Sequence, residues 1–271
     1  MRRRIAPLVL VLLLAAFAWA RRPVTIFIAG DSTAAPKLET KRPETGWGEA
    51  LPKFFRADRV RVVNLAMNGR STRTFISEGR WQALVDSLHA GDWVFIQFGH
   101  NDESKEKVDR YTPPADFRAN LARFVGDVRA RKGRPVLLTP VRRRKFDAEG
   151  RLVDTHGEYP DLVRAVAREL RVPLLDMHQE TGALLERFGP DSSAALFLHV
   201  PKGASPNYPE GVQDNTHFNP RGADLVARLV VRAIREQRLG LAKHLTGEGK
   251  RAGAELPRAG RPAVSGASPR R

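Results

Sequence analysis

Five short apolar runs constrain this chain more than any other feature: VTIFIA at residues 24–29, RVVNLA at 61–66, DWVFIQF at 92–98, RPVLLTP at 134–140 and VPLLDM at 172–177. Each is rich in β-branched or aromatic residues and nearly continuous rather than alternating, as in strands covered on both faces. Helical patterns separate them, among them GRWQALVDSLHA, PADFRANLARFVGDVRARKG and YPDLVRAVARELR. In the last helical segment, NPRGADLVARLVVRAIREQR, Leu225, Val226, Leu229, Val230 and Ile234 recur at helical spacing, and Asn219 followed by Pro220 marks a start. The alternation predicts an α/β fold, a three-layer sandwich in which a five-stranded parallel sheet carries helices on both faces.

With 271 residues, 42% of them hydrophobic, the chain can build one substantial core, and a single domain over residues 23–240 is expected. The ends differ from it. MRRR followed by sixteen apolar residues and a small-x-small ending at Ala18 and Ala20 has the form of a secretory signal peptide over residues 1–20. That run falls short of the roughly 20 residues that span a bilayer, so export to a bacterial periplasm or medium is expected, with no stable membrane partner. Residues 247–271, rich in Gly, Pro, Ser, Ala and Arg without hydrophobic periodicity, read as a disordered basic tail.

Setting both ends aside lowers the formal charge from +16 to +9 for residues 21–246. A basic domain favours a polyanionic partner, although an arginine-rich solvated surface explains the same balance. Nucleic acid is not the expected polyanion, since no nucleic-acid motif accompanies the charge and the chain carries an export signal. The absence of cysteine excludes a disulfide framework, a thiol nucleophile and a thiolate metal site.

In parallel sheets the working site lies beyond the carboxyl ends of the strands, near the reversal of strand order. The first strand leads there into GDS, the second into NGRS, the third into FGHND, and DNTHF precedes the last helix. Acyl transfer needs a nucleophilic hydroxyl, a base, a group to orient the base, and donors for the developing oxyanion. Ser32 supplies the hydroxyl, His217 the base, and Asp214, expected on the same loop, the orienting carboxylate. The backbone N–H groups of Ser32 and Gly69 and the side-chain amide of Asn101 can surround one oxyanion. Taken singly, Asp31 and Ser32 fit a helix cap, Gly69 a positive-φ turn, Asn101 an Asx turn and His217 a structural histidine. Their coincidence at strand ends favours the catalytic reading and leaves Asp31 as a turn residue.

These four blocks resemble, in order and spacing, those of the SGNH or GDSL-type hydrolases. GDSTAA, NGRSTRTF, QFGHND and DNTHFNPRGA are similar to the rhamnogalacturonan acetylesterase group within that superfamily, and the likeness spans roughly residues 24–237. The resemblance implies a flavodoxin-like SGNH hydrolase fold with Ser32, Asp214 and His217 as the catalytic residues. It places the oxyanion donors at Ser32, Gly69 and Asn101. It further implies a serine esterase that removes acetyl groups from an acetylated acidic polysaccharide without metal or organic cofactor. Thr33 stands where many superfamily members have Leu, as is usual in the acetylesterase group. A broader esterase or lipase, and a non-catalytic carbohydrate- or anion-binding domain, are the alternatives. Arg142, Arg143 and Arg144, past the fourth strand, are candidate contacts for galacturonate carboxylates or else a solvated loop; Arg70, His100 and Asp102 are weaker substrate-contact candidates.

Overall fold

In the computed structural model, which describes residues 22–256, the five apolar runs form one parallel sheet. Its strands are β1 (Val24–Gly30), β2 (Val60–Asn64), β3 (Trp93–Gln97), β4 (Arg134–Leu138) and β5 (Leu174–Leu175), in spatial order β2-β1-β3-β4-β5. Ile26 pairs with Val62 on one side and Trp93 on the other, and Phe95 pairs with Val136. The helices are α1 (Trp47–Ala50), α2 (Thr72–Ser77), α3 (Arg80–Asp86), α4 (Pro114–Ala130), α5 (Tyr159–Glu169), α6 (Met177–Ser192), α7 (Pro220–Glu236) and α8 (Gly247–Arg251).

Alternate residues of each strand enter different cores, which is why the strands read as continuous apolar runs. Ile26, Ile28, Trp93, Phe95, Val136 and Leu138 pack with Trp47 of α1, Leu184 of α6 and Val226, Leu229 and Val230 of α7. Phe27, Ala29, Val94, Ile96 and Leu137 pack instead with Phe75, Trp81, Phe117, Phe124 and Val163 of α2 to α5. Each such side chain taken from water stabilises the fold by about 1.5–3 kcal/mol before entropy is counted. From β1 the chain moves outward to β2 and returns past β1 to β3. The order therefore reverses between β1 and β3, whose carboxyl ends flank a crevice.

Three expectations need correction. The fifth strand shrinks to two residues, because Pro173 has no N–H to donate and Asp176 already caps α6 by accepting the Gln179 N–H at 3.2 Å. The DNTHF segment is not a loop: it lies on β7 (Val212–Phe218), which pairs antiparallel with β6 (Phe197–Val200) as a separate ribbon. The disordered tail does not begin at residue 247. Thr246 caps α8 by accepting the Gly249 N–H at 3.1 Å, Ala252 is fully buried, and the buried Arg232 donates to the carbonyls of Gly253 and Leu256. Residues 1–20, read as a signal, and 257–271 of the expected tail lie outside the described residues.

The β6–β7 ribbon is fastened to the start of α7. Asn219 accepts the Gly222 N–H at 3.0 Å and donates from its amide to the carbonyls of Ala195 and Phe197. A Cβ on Gly222 would stand 1.9 Å from the Leu196 carbonyl oxygen. Gly222→Ala must therefore force the ribbon off the helix, and urea unfolding should show a loss of about 1–3 kcal/mol or more.

Candidate active site

β1 delivers Gly30, Asp31 and Ser32 into the crevice. No helix begins there, so the helix-cap alternative fails: the fully buried Asp31 closes a turn, accepting the Thr33 N–H at 2.9 Å and its hydroxyl at 2.7 Å. Ser32, left partly exposed at the tip of the turn, places its Oγ 2.8 Å from His217 Nε2. His217 Nδ1 lies 2.7 Å from Asp214 Oδ2. The other oxygen of Asp214 accepts the backbone N–H groups of Thr216 at 2.6 Å and His217 at 3.0 Å.

Burial opposes the Asp214 charge, but the hydrogen bond and charge of His217 and the two backbone donors outweigh it and bring the carboxyl down to about 2. An ionised carboxylate only accepts, so Nδ1 of His217 carries the proton. Nε2 is then left with a lone pair to receive the Ser32 hydroxyl hydrogen.

The three expected oxyanion donors follow β1, β2 and β3 at the carboxyl edge of the sheet. The backbone N–H groups of Ser32 and Gly69 have no protein acceptor among the described residues. Gly69 holds φ +73°, a conformation that favours glycine. Asn101, nearly buried at the end of β3, is oriented by donating its amide to the Arg70 carbonyl at 3.0 Å.

Sequence reasoning missed Lys37. Its side chain is fully buried, and Nζ donates to the Ser32 carbonyl at 2.6 Å and to Asn68 Oδ1 at 2.8 Å while pairing with Glu44 at 2.7 Å. It thus ties the turn bearing Ser32 to the residue before Gly69. The signal was a lysine five residues after the serine, which reads as surface until its partners are known.

The weaker candidates have other work. Arg143 pairs with Glu103 at 2.7 Å and donates to the His100 carbonyl, and Arg144 grips Asn215 through its backbone N–H at 2.8 Å and its guanidinium at 2.9 Å. Both are engaged with groups of the protein, so neither lies on a merely solvated loop. The Arg142 side chain lies against Gly182 on α6. Asp102 is fully buried, binding Thr72 through N–H at 2.8 Å and hydroxyl at 2.6 Å; burial raises its pKa to about 7 against those bonds. Arg70 is clamped by Glu78, both of whose oxygens lie 3.0 Å from Nε.

Behind Asn101, His100 meets His156 (Nδ1 to Nε2, 3.2 Å), and His178 bonds Asp154 at 3.0 Å. Asp154, His156 and His178 bring ligand atoms within 4.8 Å of one another, as a metal site would. Burial and the nearby Arg143 and Arg142 hold His156 well below the ordinary histidine value, and Nε2 of both His156 and His178 is bonded within the protein.

Lys37→Met strands Glu44, Asn68 and the Ser32 carbonyl, and should cost about 3–5 kcal/mol in urea unfolding. Asp214, with its folded pKa depressed, adds stability that is present above its ordinary value of 3.8 and is lost as pH falls through about 2. The unfolding midpoint of Asp214→Asn should accordingly depend less on pH than that of the wild type between about pH 4 and pH 2.

Residues 28–225 match the GDSL-like lipase/acylhydrolase family. A rhamnogalacturonan acetylesterase of Bacillus subtilis strain 168 is 41% identical over 231 residues, covering 85% of this chain and 98% of its own. A probable rhamnogalacturonan acetylesterase of the same bacterium is 33% identical, covering 82% and 98%. Among solved structures, the YxiM protein of Bacillus subtilis superposes with a TM-score of 0.70 at 26% identity over 82% of this chain, which spans 58% of that structure. An acetylxylan esterase from Geobacillus stearothermophilus, at 19% identity, matches 78% of this chain and 94% of its own with a TM-score of 0.56, a likeness of fold alone.

Proposed function

The chain belongs to the GDSL-like lipase/acylhydrolase family, and we propose that it is a serine acetylesterase that deacetylates a pectic polysaccharide of the rhamnogalacturonan type. The observation that carries this reading is the unbroken line Asp214, His217, Ser32, with contacts of 2.7 and 2.8 Å. The substrate class rests on the 41% identity to a rhamnogalacturonan acetylesterase across nearly that whole protein. The same proposal places the enzyme outside the cytoplasm, where its polymer is, through the signal-like residues 1–20.

The reaction proceeds in two halves. Ser32 Oγ attacks the acetyl carbonyl as His217 Nε2 takes its proton, and Asp214 stabilises the imidazolium. The tetrahedral oxyanion sits among the Ser32 and Gly69 N–H groups and the Asn101 amide. As it collapses, His217 returns the proton to the departing sugar oxygen and an acetyl-serine remains. Water deprotonated by the same histidine then attacks this ester, releasing acetate and restoring Ser32.

Acetate release from acetylated rhamnogalacturonan, acetylated xylan and a small aryl acetate tests the reading. Ser32→Ala should lose all three activities, and undiminished hydrolysis would remove Ser32 from the mechanism. A wild type that cleaves only the aryl ester would point to the broader esterase instead. Asn101→Ala should lower kcat on the order of 100-fold or more. Asp214→Asn should lower it by roughly 10,000-fold, since the amide favours the wrong histidine tautomer.

A further inference from the structure

Beside the oxyanion donors lies a cleft of about 340 Å³ whose walls include Asn68, Gly69, Arg70, Glu78, Asp109 and Arg110. It shares Gly69 with the expected oxyanion donors and Asn68 with the Lys37 bridge, so a ligand lodged there lies beside the reacting centre.

The two arginines of the cleft are not equivalent. Arg70 is held by both oxygens of Glu78 and donates from Nη1 to the Asn68 carbonyl at 2.7 Å, and Glu78 also receives Arg80. That side is a braced, charge-compensated wall. Arg110 covers the side-chain face of Gly69, and its Nη1 would lie 3.0 Å from a Cβ at that position. Nε and Nη2 of Arg110 face only the adjoining Asp109, at 3.2 to 3.4 Å, and the Asp109 side chain is 67% exposed. Nη1 has no protein acceptor among the described residues.

Arg110 is nevertheless well placed by its backbone. Its N–H donates to the Lys107 carbonyl at 2.9 Å, and its own carbonyl accepts the hydroxyl of the buried Thr112, whose N–H is bonded to the Asp102 carbonyl at 3.0 Å. A planar guanidinium with a free edge, fixed at the rim of a sugar-sized cleft, matches the two oxygens of a carboxylate. The exposed Asp109 can yield to a ligand at small cost, because such a surface pair is worth at most about 1 kcal/mol.

We propose that Arg110 forms a carboxylate subsite that binds a uronate residue of the polymer close to the scissile acetyl group. The subsite deepens the pectic reading and rests on it for the identity of the polymer. It sets specificity by ion pairing and takes no part in bond making at the ester.

Binding of trigalacturonate to the Ser32→Ala protein, measured by titration calorimetry at low salt, tests the subsite without reference to turnover. Adding Arg110→Gln should raise Kd at least tenfold. Arg110→Lys, which keeps the charge but not the fork, should raise it less and guards against a loss due only to misfolding. Fully methyl-esterified trigalacturonate should bind weakly whether or not Arg110 is present. Equal affinity for trigalacturonate with and without Arg110, or equal affinity for acid and methyl ester, would overturn the subsite. Failure of the wild type to release acetate from acetylated rhamnogalacturonan would overturn the pectic reading separately, because the calorimetry reports on the carboxylate alone.

Discussion

The contact between His217 and Ser32 joins residues 185 positions apart, and a bond of 2.8 Å leaves little tolerance at either end. Ser32 is fixed by the sheet itself, one turn beyond a β1 that is hydrogen-bonded on both sides. His217 has no such support, because β7 belongs to a two-stranded ribbon apart from the main sheet. The ribbon is held by what surrounds it: Phe218 packs against Phe197 with ring planes tilted and centres 5.2 Å apart, the Phe218 carbonyl accepts the Thr45 N–H, and Arg144 grips Asn215 between the two catalytic candidates. The arginine that composition offers as a substrate contact therefore serves the geometry of the base.

Three aspartates border the crevice, and their surroundings separate them. Asp31 and Asp102 are fully buried, and desolvation raises both pKa values. Asp31 leaves one carboxylate oxygen without a protein partner, while Asp102 braces Thr72 and the Gly99 N–H at the exit of β3. Asp214 alone has enough donors to fall to about 2. Since the group that orients a catalytic histidine must stay charged through the cycle, the environment assigns that task to Asp214 even though Asp31 adjoins the serine.

The parallel sheet was legible because burial on both faces leaves continuous apolar runs, and every motif at its carboxyl edge could be located from those runs. The ribbon was not. QDNTH on β7 has no apolar periodicity, since that strand is steadied by its neighbours rather than by a buried face of its own. The region after residue 247 was misread for a related reason. Gly and Ala look like linker composition, yet Ala252 is buried and the Gly253 carbonyl meets the buried Arg232, contacts that small residues make possible and that no periodicity announces. Lys37 was hidden in the same way, its role residing entirely in partners at positions 32, 44 and 68.

Net charge proved a poor guide to where an anion would bind. Arg143, Arg144, Arg70 and Arg232 are all engaged with carboxylates or carbonyls of the protein, so a basic residue in these positions is not by itself a cation free to meet a ligand. What distinguishes one arginine from another is the number of its N–H donors already satisfied and the cavity toward which the remainder points. By that criterion the basic character of the chain is first a structural resource, holding loops and the β6–β7 ribbon around the crevice. Recognition of an acidic polymer then depends on the guanidinium edges that the fold leaves open beside the crevice.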